Sequence, residues 1–202
     1  MVSWNNISYF WNMVRNQLIE QLKVEINHYI GIPYCKNVVK DGKVIKERFM
    51  GAKGNAKDIA LQTVNLANQQ KIKILDLSSQ QIYNFQKKNK IGIDCSGLVS
   101  HLLIFYGNLL GKKIDLNIRK TSADMLTSAP LSKEIKKYDD IQTGDLIRQK
   151  NGHHVLFIID KQGDTINYVD SSQEGRGVKY GQFNLNDKNF DNQGIYRLLF
   201  LS

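Results

Sequence analysis

Residues 91–99 read IGIDCSGLV, with a cysteine between an aspartate and a Ser-Gly pair just where a strand-like run gives way to a helical one. A thiol becomes a strong nucleophile when it ionises, and unpaired backbone N–H groups at a helix start stabilise the thiolate. Cys95 is therefore a candidate nucleophile, and it needs a base. The chain has four histidines: His28 near the N-terminus, His101 six residues after Cys95, and the adjacent His153 and His154 at the mouth of the apolar run HVLFIID. His154 is the candidate base, because a histidine opening a buried strand is rigid and can point at a neighbouring helix start. His153 should face the other way, since strand side chains alternate, and His101 should lie nearly opposite Cys95 in angle on the same helix. A catalytic imidazole also needs a group on its second nitrogen to fix tautomer and orientation. Asp170, at the end of the following strand, is the candidate. A hairpin loop of three or five residues would set it directly across from His154, whereas a loop of two or four would set Ser171 there and turn Asp170 away. The spacing leaves both registers open. Taken singly, each residue is more often structural: a packed cysteine, a core histidine, a turn-forming aspartate. Their joint placement at a helix start, a strand start and the adjoining strand tips the reading towards chemistry.

The elements that must hold them are legible in outline. Trp11, Val14, Leu18, Leu22, Ile26 and Tyr29 recur at steps of three or four, one apolar stripe along a helix of about five turns that Gly31 and Pro33 stop. From Cys95 a second helix carries Leu98, Val99, Leu102, Leu103, Phe105, Tyr106 and Leu109 and should be the buried central one, ended by Gly111. LIRQ (146–149), HVLFIID (154–160) and TINYVD (165–170) read as successive strands, with KQGD as the turn between the last two. Short runs around 177–183 and 194–200 could add more. Helices first and an antiparallel meander afterwards predict an α+β domain. Residues 36–90 have their own character: an Asp-Gly hairpin in NVVKDGKVIKERF, a helix in NAKDIALQTVNLANQQ and a polar helix in SSQQIYNFQKKN. That stretch reads as an insertion or cap on a single domain spanning 1–202.

At 202 residues, 42% hydrophobic and 23% charged, the chain can bury a substantial core. Lysine and arginine total 28 against 19 acids, a formal net charge of +9 that favours polyanionic partners. There is no zinc-finger spacing, aromatic RNP-like strand or phosphate-cradling glycine loop, so nucleic acid is not expected. Cys35 and Cys95 stand 60 positions apart in a chain too large to depend on disulfide staples, although a single bridge between them stays open. The N-terminal stretch lacks the layout of a signal peptide, and no run reaches the roughly 18 apolar residues of a membrane span. The expectation is a soluble chain, cytoplasmic as encoded, exported by a leaderless route or set free by phage release.

DCSGLV (94–99) after a small apolar run resembles the nucleophile motif of the NlpC-type cell-wall peptidases, papain-like cysteine peptidases that cut peptidoglycan stem peptides. YIGIPYCKN (29–37) is similar to that family's Gly-x-Pro-Tyr turn after the first helix, IRKTSAD (118–124) to its basic Thr-Ser stretch, IQTGDLI (141–147) to its Gly-Asp strand start and HHVLFII (153–159) to its histidine strand. The resemblance covers about 28–36 and 91–180. It implies a papain-like core, an N-terminal helix, a central helix carrying the nucleophile and a β-meander or half-barrel. It also implies Cys95 as nucleophile, His154 as base and then acid, and Asp170 as the polar third residue. Tyr34 would line the site near the forming oxyanion, and Asp94 and Ser96 would shape the subsite for the free amino end of a stem peptide. The implied reaction is hydrolysis of a γ-D-glutamyl bond through a thioester, with no metal or cofactor. The implied partners are peptidoglycan fragments and, for a toxin, an inhibitor or immunity protein. Three departures stand out. The family's third residue is usually histidine, Cys35 and Lys36 replace a bulky apolar residue and a glycine, and about 55 residues separate the Pro-Tyr turn from the nucleophile. Two other functions remain open: acyl transfer or protein deamidation on the same site, as in related families, and a basic module that binds wall or another polyanion through an inactive site.

Overall fold

The computed structural model describes residues 4–40 and 43–201, with side chains from Met13 onward except those of 39, 43 and 44. The Asp41-Gly42 turn and the side chain of Trp11 lie outside them. Helix α1 (Trp4–Asn27) is longer than the five turns read from its stripe. It buries Ile19, Leu22 and Ile26, with Tyr29 following in the turn beyond its end. Strands β1 (Val38–Lys40) and β2 (Lys43–Lys46) form the small antiparallel hairpin. Helix α2 (Ala56–Gln69) starts where the Asn55 side chain accepts from the backbone N–H of Asp58. Helix α3 (Ser79–Lys88) starts on a capping box between Ser78 and Gln81. Helix α4 (Cys95–Leu109) begins at the candidate nucleophile and is buried on nearly every side over its first two turns. A single helical turn, α5 (Ala123–Leu126), follows.

The six-stranded sheet runs in the order β3-β8-β4-β5-β6-β7, with antiparallel pairing throughout. Its strands are β3 (Ser132–Glu134), β4 (Leu146–Gln149), β5 (His154–Gln162), β6 (Thr165–Ser172), β7 (Gly177–Asn184) and β8 (Ile195–Leu198). The meander β4 to β7 is the one read from the sequence. Edge strand β3 is not: its residues, Ser-Lys-Glu, have no strand-like pattern and gain their pairing from β8.

Both faces of the sheet are covered. Val155, Phe157, Ile159 and Val169 point into the core shared with Leu98, Leu102 and Leu103 of α4 and Leu22 and Ile26 of α1. The alternate residues Leu156, Ile158 and Ile166 pack on the other face with Ile147, Phe183 and Ile195. This explains the unbroken apolar run of β5, a central strand buried on two sides. The 36–90 segment joins the first core through Ile59, with Phe49 and Leu66 packed against it. The expected mixed α+β class is what the fold displays.

Candidate active site

Three stretches of backbone converge on the start of α4. The Asp94 side chain caps the helix, its Oδ1 accepting from Gly97 N at 2.7 Å, and Cys95 is the first helical residue, buried and with a free thiol. Residues 33–35 lie alongside 92–94. Tyr34 bridges Ile93 in parallel, Ile93 N donates to Pro33 O at 3.1 Å and Cys35 N donates to Ile93 O at 3.2 Å. The approach requires glycine at 92, where a Cβ would stand 2.3 Å from Pro33 O. On the opposite side Ala52 O accepts from Asp94 N at 3.0 Å, and a Cβ on Gly97 would meet that same carbonyl at 2.9 Å. Tyr34 is thus held beside Cys95. Burial first, then the negative charges of Cys95 and Asp94, push its phenol well above the ordinary range and keep the O–H available as a donor.

His154 and Asp170 meet because of a β-bulge. The turn between β5 and β6 has two residues, Gly163 and Asp164, rather than the four expected; Lys161 and Gln162 belong to the strand. Pairing starts as Gln162↔Thr165, Lys161↔Ile166 and Asp160↔Asn167, then resumes as Ile158↔Tyr168 and Phe157↔Val169, so Ile159 is the extra residue. Its carbonyl is taken by Thr143 Oγ1 at 2.8 Å. Without the bulge a two-residue turn would face Asp170 away from His154; with it the parity reverses and the two share one side. The result is a hydrogen bond of 3.1 Å from His154 Nε2 to Asp170 Oδ2 between two buried side chains. Ser171 is committed elsewhere, donating to Ile93 O at 2.8 Å and so tying β6 to the strand-like run before Cys95.

Cys95 stands close enough to His154 to act on its proton affinity. Since Nε2 faces Asp170, Nδ1 is the nitrogen left for the thiol. Burial pulls the imidazole down, but the hydrogen bonds and negative charges of Asp170 and Cys95 outweigh it and hold His154 up at about 9. At neutral pH the imidazole therefore keeps its proton, between the carboxyl group of Asp170 and the sulfur of Cys95. His153 is not part of this array. It precedes the strand in a helical conformation and is exposed, so strand alternation does not govern it. His101 Nε2 donates to Lys53 O at 2.9 Å and the ring stacks on Tyr29, a structural role.

Asp94 and Ser96 flank Cys95, and both are already engaged. Lys53 Nζ donates to Asp94 Oδ1 at 2.7 Å and to Ser96 Oγ at 2.5 Å. The lysine is 8% exposed. Its stem runs beside Gly97, where a larger residue would displace it. Sequence reasoning missed Lys53 because it sits in the 36–90 segment, 42 positions before Cys95, among many other lysines. The Gly97 contact and the acidic cap would have been the signal, but neither names its partner. Cys35 is a second free thiol, half-buried, with Sγ 3.6 Å from Lys90 O, so no disulfide joins it to Cys95. Burial pushes its thiol pKa up. Asp145 of the Gly-Asp motif is fully buried and bound by Arg197 at 2.7 and 2.9 Å, a structural pair rather than a site residue.

Fold and cluster together define an α+β chain with a Cys-His-Asp array seated where a central helix meets a six-stranded antiparallel sheet. No family model matches the chain, and no curated protein or solved structure matches it either. Among the described residues no helix is long and apolar enough to cross a membrane.

Proposed function

We propose that the chain is a cysteine hydrolase of amide bonds, with Cys95 as nucleophile, His154 as base and acid, and Asp170 as the residue that positions the imidazole. The observation that carries this is the grouping Cys95–His154–Asp170, in which a buried imidazole hydrogen-bonded to a buried carboxylate stands beside a free thiol at a helix start. The thiolate attacks the carbonyl carbon, and the oxyanion is held by the Cys95 backbone N–H and the Tyr34 phenol. The C–N bond breaks as the imidazolium passes its proton to the leaving amine, which leaves a thioester. His154 then takes a proton from water, the hydroxide attacks, and the acid product and thiolate are released.

The resemblance of the DCSGLV, HHVLFII and associated motifs to NlpC-type peptidases favours a stem peptide of peptidoglycan, cut at a γ-D-glutamyl bond, on a papain-like core. A second reading has its own observation. Lys53 fills the Asp94–Ser96 pair that would receive a substrate's free amino end, which favours an acyl group without a neighbouring amine, as in acyl transfer or deamidation of a protein.

Incubation with intact peptidoglycan, and with stem peptides whose amino end is free or acetylated, followed by product masses, separates these readings. Cleavage that prefers the free amine, and is abolished in Cys95→Ala with the melting temperature preserved, supports the wall peptidase. Preference for the acetylated peptide, or a stable acyl adduct on Cys95, supports the second reading. Neither cleavage nor adduct with any of them rejects the hydrolase.

A further inference from the structure

Beside the Cys95 site lies a cleft of about 460 Å³ whose wall includes Tyr34, the residue already placed next to the nucleophile. Lys36, Lys46 and Arg48 line it from one side, and Lys87, Lys88 and Lys90 from the end of α3, with Arg176 closing it from the loop before β7. No carboxylate lines it. Among the described residues none of these cations forms an ion pair with an acid, and the nearby Glu174 is spent on Lys150 at 2.6 Å.

Crowding is evident within the cleft. The amines of Lys46 and Lys90 stand together, and that contact, followed by their mutual repulsion, pulls Lys90 below its ordinary range. Lys87 and Arg176 both lie over the ring of Tyr83, at 5.8 and 5.9 Å from its centre, so one aromatic ring in the cleft wall attracts two cations. Like charges gathered in a concave site without a counter-ion raise the local potential and concentrate anions there. Ammonium groups recognise phosphate as point charges without demanding a planar fork, and a single carboxylate would neutralise little of this charge.

We infer that this cleft is a subsite for a multiply charged oxyanion of the phosphate class. As the place where such a group on the acyl substrate would lie next to the scissile bond, it rests on the hydrolase reading. As an anion site it does not.

Two measurements keep these apart. Calorimetric titration of the whole chain with inorganic tripolyphosphate should show one site, weakened about tenfold or more by the double reversal Lys46→Glu/Lys87→Glu. The reversal Lys113→Glu/Lys188→Glu changes net charge equally but lies outside the cleft, and should leave affinity within about twofold. Equal losses in both variants, or acetate binding as tightly as tripolyphosphate, would overturn the inference. The second measurement compares alkylation of Cys95 by anionic iodoacetate and neutral iodoacetamide, resolved from Cys35 by peptide mass. The charged reagent should be favoured, and tripolyphosphate or the cleft reversal should remove that preference. If tripolyphosphate binds in the cleft but the iodoacetate preference is absent, the cleft is not a subsite of the Cys95 centre. If Cys95 reacts with either reagent no faster than an unfolded-chain thiol, the hydrolase reading fails while the calorimetric result stands.

Discussion

His154 carries the most specific chemical consequence at the scale of single residues. Its folded pKa of about 9 lies above the ordinary 6.5, so the stabilisation from its two partners is complete below about 6.5 and disappears as pH rises through about 9. Thermal stability should fall across that window, and less so in Asp170→Asn, where the carboxylate charge is gone. Turnover should decline on the same alkaline limb, because the imidazolium that protonates the leaving amine is lost. Asp170→Asn keeps an oxygen able to accept from Nε2, so it should retain part of the activity with the limb moved to lower pH. Asp170→Ala should lose roughly 10²–10⁴-fold in kcat/KM. Alanine activity within about threefold of wild type, with an unmoved limb, would assign the positioning role to another group. Cys95, His154 and Asp170, the three candidate site residues, were all legible as residue types in context. Their register was not, because one extra residue, Ile159, reverses which side of β6 faces His154, and nothing in HVLFIIDKQGDTINYVD marks where a bulge will fall.

Among the elements, the link between the 36–90 segment and α4 is the least expected. The apolar spacing read its two helices correctly and its hairpin strands too, yet the feature that bears on the site is a lysine in the loop between them. Lys53 brings its ammonium to the acidic cap of α4, and removing it leaves Asp94 and Ser96 partly buried without their counter-charge. Lys53→Ala should therefore cost about 3 kcal/mol, a fall of roughly 6–12 °C in melting temperature. The vacated pair should then accept an external amine: a stem peptide with a free amino end should raise the melting temperature of the variant more than that of wild type, and its acetylated counterpart should not. Equal shifts in both proteins would show that Lys53 does not stand where a substrate amine would bind. Gly97→Val makes the complementary test from the helix side. Its Cβ branch would press on Ala52 O and the Lys53 stem, so activity should fall with stability, whereas a neutral outcome would mean that the loop can withdraw without consequence.

For the whole molecule, stability and chemistry reside in different places. Asp145, at 0% exposure, joins the start of β4 to β8 through Arg197. Asp145→Ala should destabilise by about 3–5 kcal/mol in denaturant titration, since it strands a cation in a mostly buried site. The remaining folded fraction should keep its specific activity, and selective loss of activity at full stability would make Asp145 a site residue. The sequence by itself determined the helix that starts at Cys95, the buried central strand with His154 at its mouth, the meander and the α+β class, because periodicity and helix-start chemistry are local and are written in neighbouring residues. Only the tertiary structure decided the rest: the bulge that turns Asp170 towards His154, the lysine that fills the Asp94–Ser96 pair, and the cationic cleft assembled from three distant stretches. These depend on which backbone segments approach one another, and such approaches are set by packing of the whole core, to which no single stretch of sequence points.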